Sequence, residues 1–111
     1  MSYEILYSDM FLREIKPLAK KYPSLKQDIQ NLIVELTDSP DTGISLGNNL
    51  FKIRLKITSK GRGKSGVARV ITCVIHKNEQ VLLADIYDKS EHSSIDEKTI
   101  LKNLKAEGFD L

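Results

Sequence analysis

Residues 50–57, LFKIRLKI, alternate without a break: Phe51, Ile53, Leu55 and Ile57 fall on one side, Lys52, Arg54 and Lys56 on the other. A repeat of two belongs to a strand, so the stretch predicts one apolar face and one face carrying three cations. VARVITCVI (67–75) and VLLADIY (81–87) are almost continuously apolar, as strands covered on both faces are, and HKNE between them suits a hairpin turn. SYEILYS (2–8) is a short apolar run that also reads as a strand.

Elsewhere the period is helical. Phe11, Ile15, Leu18 and Tyr22 predict a helix from Asp9 to Lys21 with Ser8 as its N-cap. Pro17 inside it deletes one helical hydrogen bond and predicts a kink. After the Tyr22-Pro23 break, Ser24 and Gln27 have capping-box spacing, and Leu25, Ile29, Leu32, Ile33 and Leu36 draw an apolar stripe, so a second helix completes an αα-hairpin. TDSPDTGISLGNN (37–49) reads as a turn-rich connection. Near the end, Ser94 and Glu97 repeat the capping-box spacing, Ile100, Leu101 and Leu104 mark an apolar side, and Gly108 sits where a C-terminal cap belongs. The predicted order is β-α-α-β-β-β-α, an α+β chain forming a single domain over residues 1–111.

Charge changes this picture by singling out the middle of the chain. The net charge is only +2, yet residues 42–78 contain no Asp or Glu while Lys52, Arg54, Lys56, Lys60, Arg62, Lys64, Arg69 and Lys77 give +8, which leaves −6 for the remainder. A concentrated positive field attracts polyanions, and cations lined up on one strand face repel one another unless an anion meets them. RNA or DNA is the natural partner. The lone Cys73, inside an apolar run, reads as a small core residue of a reducing compartment. There is no apolar run of membrane-spanning length, and MSYEILYSDMF has neither the basic leader nor the apolar core of a signal peptide, so a soluble, cytoplasmic protein is expected.

The string Gly63-Lys64-Ser65 resembles the end of a phosphate-binding loop, but that motif needs a glycine at position 58, where Thr58 stands, and a helix afterwards, where VARVITCVI follows. The remaining reading is a glycine-rich cationic turn between two strands. Gly61, Gly63 and Gly66 allow close approach to a ligand, and Lys60, Arg62 and Lys64 contact phosphate or simply keep the tip solvated. Two separated histidines, one cysteine and no clustered acids make a poor metal-ligand set, so neither a metal nor another cofactor is expected. His76 has no assigned role, and His92 reads as an exposed loop residue before it reads as an acid or base.

The order of elements and the string FKIRLK…GRGKSGVARVI…VLLADIYDKSE resemble the RelE/ParE superfamily of toxins from bacterial toxin-antitoxin modules, most closely its HigB-like branch. The resemblance covers nearly the whole chain and is strongest from Phe51 to Glu91. It implies a four-stranded antiparallel sheet with a mixed edge, packed on the N-terminal helical hairpin, plus a C-terminal helix. It implies a ribosome-dependent mRNA endoribonuclease that works without metal and is held inactive by a cognate antitoxin, usually a small helix-turn-helix protein. Two alternatives stand beside it: a gyrase-inhibiting toxin of the ParE kind, and a non-catalytic nucleic-acid-binding domain of the same fold.

In the chemistry attributed to the nuclease branch, a ribose 2′-hydroxyl attacks the adjacent phosphate, so a base, an acid for the leaving 5′-oxygen and cations for the phosphorane are needed. By resemblance, Arg54 and Arg69 stabilise phosphate and Lys52 or Lys56 is the candidate base. Tyr87 would stack on a base or orient the nucleophile, and Lys89 would donate a proton or hold phosphate; otherwise these two are a core tyrosine and a surface lysine. The chain departs from relatives in having Thr72 and Cys73 where several carry an aromatic pair, and Ser90 where the RelE type carries an arginine.

Overall fold

A computed structural model describes residues 2–60, 67–88 and 96–111. The elements run β1 (Glu4–Tyr7), α1 (Asp9–Lys21), α2 (Leu25–Asp38), β2 (Ile44–Gly47), β3 (Leu50–Lys56), β4 (Val67–Ile75), β5 (Gln80–Asp88) and α3 (Glu97–Ala106). One five-stranded sheet has the order β1-β5-β4-β3-β2. Strands β2 to β5 are an antiparallel meander, and β1 pairs parallel with β5 at the edge.

The sheet thus has a mixed edge, but five strands rather than the four expected. The extra one, β2, lies inside the stretch that reads as a turn-rich connection. Asn48 (φ 53°) and Asn49 (φ 62°) are both left-handed, the requirement of a tight two-residue hairpin turn, and asparagine tolerates that region better than most residues. They fold Ile44–Gly47 back onto β3, pairing Ile44 with Lys52 and Gly47 with Leu50.

Both sheet faces are covered, as the apolar runs 67–75 and 81–87 require. On one face Phe11 and Leu18 of α1 and Leu25, Ile29, Leu32 and Leu36 of α2 pack on Ile53, Leu55, Val70, Val74, Val81, Leu83 and Ile86. On the other, Ile100 and Leu104 of α3 pack with Leu50, Ile71, Cys73, Ile75, Leu82, Ala84 and Tyr87. The two clusters hold the fold together by removing apolar surface from water on both sides of a single sheet.

The helix ends follow the sequence signals in part. Ser8 is the N-cap of α1, its Oγ accepting the Phe11 N–H at 3.0 Å. The helix runs on through Pro17. At the end of α3, Gly108 (φ 97°) takes the left-handed position, with Phe109 N–H bonded to Leu104 O and Gly108 N–H to Lys105 O. Of the two capping boxes, one does not form and the other falls partly outside the described residues. Asp96, rather than Ser94, is the N-cap of α3, and Ser94 itself lies outside the described residues. Ser24 makes no capping bond, because its hydroxyl serves Asp28 and Ser59 instead.

Cys73 is buried, and burial pushes its thiol up from 9.0 to about 11. The raised folded value means that the stabilising contribution is complete below pH 9 and is lost as pH rises through 11. The protein is therefore expected to lose about 1.4 kcal/mol through this one group between pH 8 and pH 10. Urea unfolding at the two pH values checks it: Cys73→Val should flatten the dependence by that amount, and an unchanged slope would contradict the assignment.

Candidate nucleic-acid interface

Directly paired residues of an antiparallel sheet point to the same face, so the register of β3, β4 and β5 states which side chains meet. Arg54 pairs with Arg69, and Arg69 with Tyr87, giving one row across three strands. Lys52 pairs with Ile71, and Ile71 with Asp85, giving the next row; Lys56 pairs with Val67 on the other side. Lys52, Arg54, Lys56, Arg69 and Tyr87 therefore share the face that α3 covers further along. Arg54 and Lys56 are exposed and Lys52 is half-buried.

A β-bulge brings Tyr87 to this face. Ile71 pairs with Asp85 but Thr72 with Leu83, which leaves Ala84 as the extra residue. Leu82 and Ala84 lie on the α3 side; strict alternation would send Tyr87 to the opposite side, yet Ile86 joins the α1/α2 cluster and Tyr87 the α3 cluster. The bulge is held from the end of the neighbouring strand β1: the Ser8 hydroxyl donates to Ala84 O at 2.8 Å, and Ser8 is fully buried. The residue that caps α1 thereby fixes the geometry of β5.

The row is electrostatically unusual. Two arginines stand opposite each other, with Cβ atoms about 5 Å apart in such pairs. Arg69 is only 8% exposed, and its buried Nη1 has no hydrogen-bond partner among the described residues. A buried guanidinium N–H left unsatisfied costs free energy that an oxyanion would recover, and two arginines in one cross-strand row can serve one phosphate. Burial raises the Tyr87 phenol above its ordinary value, the Arg69 charge lowers it and the Asp85 charge raises it, so at neutral pH Tyr87 keeps its proton and is a donor. Asp85, also fully buried on this face, was not anticipated from the sequence. Its one signal is an acid set inside the otherwise apolar VLLADIY.

The residues that precede the glycine-rich segment are anchored. Thr58–Lys60 form a single 3-10 turn after β3. Thr58 N–H donates to Asp28 Oδ2 at 3.0 Å, the Thr58 hydroxyl to Oδ1 at 2.7 Å, and the Ser24 hydroxyl to Oδ2 at 2.8 Å. Ser59 N–H donates to Ser24 Oγ at 2.7 Å. Arg62, Lys64, Lys89 and His92, with the side chain of Lys60, lie outside the described residues. His76 sits beyond the far end of β4, where its Nδ1 is 2.9 Å from the Tyr3 hydroxyl and its Nε2 is 3.4 Å from Asp41, a link between surface elements. Among the described residues, no three His, Cys, Asp or Glu side chains converge as a metal site, and no helix is long and apolar enough to cross a membrane.

No family model matches the chain, and no curated relative matches its sequence. Its fold, however, is that of a solved toxin structure. A double arginine-to-alanine mutant of the E. coli toxin RelE in the free state superposes with a TM-score of 0.60 at 15% identity, covering 98% of this chain and 100% of that one. The chain accordingly has a RelE-like α+β fold, with a basic sheet face built from β3 and β4.

Proposed function

We propose that this protein is the toxin of a toxin-antitoxin module, acting as a ribosome-dependent mRNA endoribonuclease that needs no metal. The observation that carries the reading is the Arg54–Arg69–Tyr87 row, with Arg69 buried and its Nη1 unsatisfied among the described residues, on a RelE-like sheet. Arg69 and Arg54 bind the scissile phosphate and stabilise the charge that grows on it as the 2′-hydroxyl attacks. Lys52 or Lys56 takes the hydroxyl proton. Tyr87, protonated and beside Arg69, positions the phosphate or stacks on a base. Lys89 protonates the 5′-oxygen as its bond to phosphorus breaks, leaving a 2′,3′-cyclic phosphate, and Lys60, Arg62 and Lys64 add phosphate contacts. The GRGKSG and YDKSE strings favour the HigB-like branch, and with it a small helix-turn-helix antitoxin and a cytoplasmic site of action.

Inducible expression with primer extension on cellular mRNA tests this. In-frame cuts within translated messages are expected; growth arrest with intact mRNA and damaged DNA would instead indicate gyrase inhibition, and no arrest would indicate a binding domain. Binding to single-stranded RNA should weaken with salt at a log–log slope of about −3, from roughly four phosphate contacts. A flat response would remove the polyanion reading.

A further inference from the structure

The slip at Ala84 does more than aim Tyr87, because it also moves Asp85. Leu82 and Ala84 lie on the α3 side, so strict alternation would leave Asp85 among the apolar side chains under α1 and α2. Asp85 instead pairs with Ile71, a member of the α3 cluster, and so stands on the basic face, fully buried. Strands β3, β4 and β5 contain one other acid, Asp88. It faces the other way, opposite Ala68 of the α1/α2 cluster, where its Oδ2 accepts the Tyr22 hydroxyl at 2.7 Å. Asp85 is therefore the acid that these three strands place among the cations.

Arg69 is its diagonal neighbour. It precedes Ile71 by two residues on β4, and diagonal positions on one face of an antiparallel pair are about 7 Å apart, a span that an arginine covers. Lys52, beyond Ile71 in the row of Asp85, is one strand further away. The charges of Arg69 and Asp85 both reach Tyr87, where they act in opposite directions. A carboxylate buried this deeply needs a compensating cation, and a long guanidinium side chain left to itself carries its head into water. The two arginines of the row differ accordingly: Arg69, nearer to Asp85, is 8% exposed, whereas Arg54, directly opposite but further from the acid, is exposed.

We propose that Asp85 is a positioning residue that acts through Arg69: its carboxylate draws the guanidinium down onto the sheet and holds it beside Tyr87. That the arginine so held serves RNA cleavage rests on the nuclease reading above.

Asp85→Asn removes the charge and keeps the size. In the full-length protein an arginine-specific dicarbonyl reagent, mapped by mass spectrometry, should label Arg69 about tenfold faster in this variant, the scale of a lost charge partner at that distance. Labelling of Arg54 should stay as it was, and Cys73, buried in the α3 cluster, should stay closed to a thiol reagent. On ribosomes programmed with mRNA, kcat should fall about tenfold through misplacement of Arg69, while KM stays level or falls because a negative charge has left the face that meets RNA. Unchanged labelling of Arg69, labelling of Arg69 and Cys73 together, or a raised KM at unchanged kcat would each overturn the proposal. Should Asp85→Asn fail to fold, the double variant Asp85→Asn/Arg69→Met decides. A folded double variant places the fault in the uncompensated arginine and upholds the link; an unfolded one makes Asp85 structural in its own right and overturns it. Faster labelling in a protein that cleaves no RNA upholds the link and removes the nuclease; unchanged labelling with cleavage intact does the reverse.

Discussion

Arg69→Met is expected to abolish RNA cleavage while the protein remains folded. The two halves of that result turn on the burial of Arg69, whose Nη1 has no hydrogen-bond partner among the described residues. In the absence of substrate the guanidinium is a desolvated charge whose loss removes a burial penalty, but the fully buried Asp85 one row away then loses a nearby cation, so the two effects oppose and the protein stays folded. In the transition state the same group meets the phosphorane, and removing a preorganised charge donor of that kind typically costs at least about 100-fold in rate. Primer extension on cellular mRNA measures the first half and urea unfolding the second. Lys52→Ala is the companion: half-buried and one row away, it should lower cleavage without changing the fold. Retained in-frame cutting by Arg69→Met would take Arg69 out of the mechanism, and loss of folding in that variant would make it a structural residue.

The second large effect is expected at Ser8→Ala, on the side of the sheet away from the basic face. The hydroxyl accepts the Phe11 N–H and donates to Ala84 O from a fully buried position where no water replaces it. Losing an N-cap costs about 1 kcal/mol, and leaving the bulge carbonyl unsatisfied costs about 1–3 kcal/mol more. Stability should fall by about 2–4 kcal/mol. Because the bulge sets the side to which Tyr87 points, the environment of Tyr87 should change as well, read as altered ultraviolet absorbance of its ring under native conditions. Ser8→Thr keeps the hydroxyl and should restore most of both. An alanine variant as stable as the original would show that the bulge holds without this bond.

Much of the architecture was legible because local patterns and tertiary packing agree. The period of two over Phe51–Ile57 predicted β3 and the face its cations occupy; the continuous runs predicted strands buried on both sides; the stripe through Leu25, Ile29, Leu32 and Leu36 predicted α2. The fifth strand was hidden because GNN looks like loop composition until both asparagines are seen at positive φ. The capping box at Ser24 failed for a different reason. Asp28, four residues on, takes that hydroxyl in order to hold Thr58, a partner 30 residues away in sequence that no local rule includes.

The same division runs through the candidate site. Sequence alone determined that Lys52, Arg54 and Lys56 share one strand face and that a positive field is concentrated between residues 42 and 78, since strand alternation and charge composition are local properties. It did not determine that Arg54 stands opposite Arg69, that Arg69 is desolvated, or that Asp85 joins them. Those depend on strand register. Nor did it place Tyr87: in VLLADIY nearly every position is apolar, so the pattern carries no mark of where alternation slips. The slip at Ala84, secured by a serine 76 residues earlier in the chain, sends Tyr87 to the basic face, and only the tertiary structure brings those two residues together.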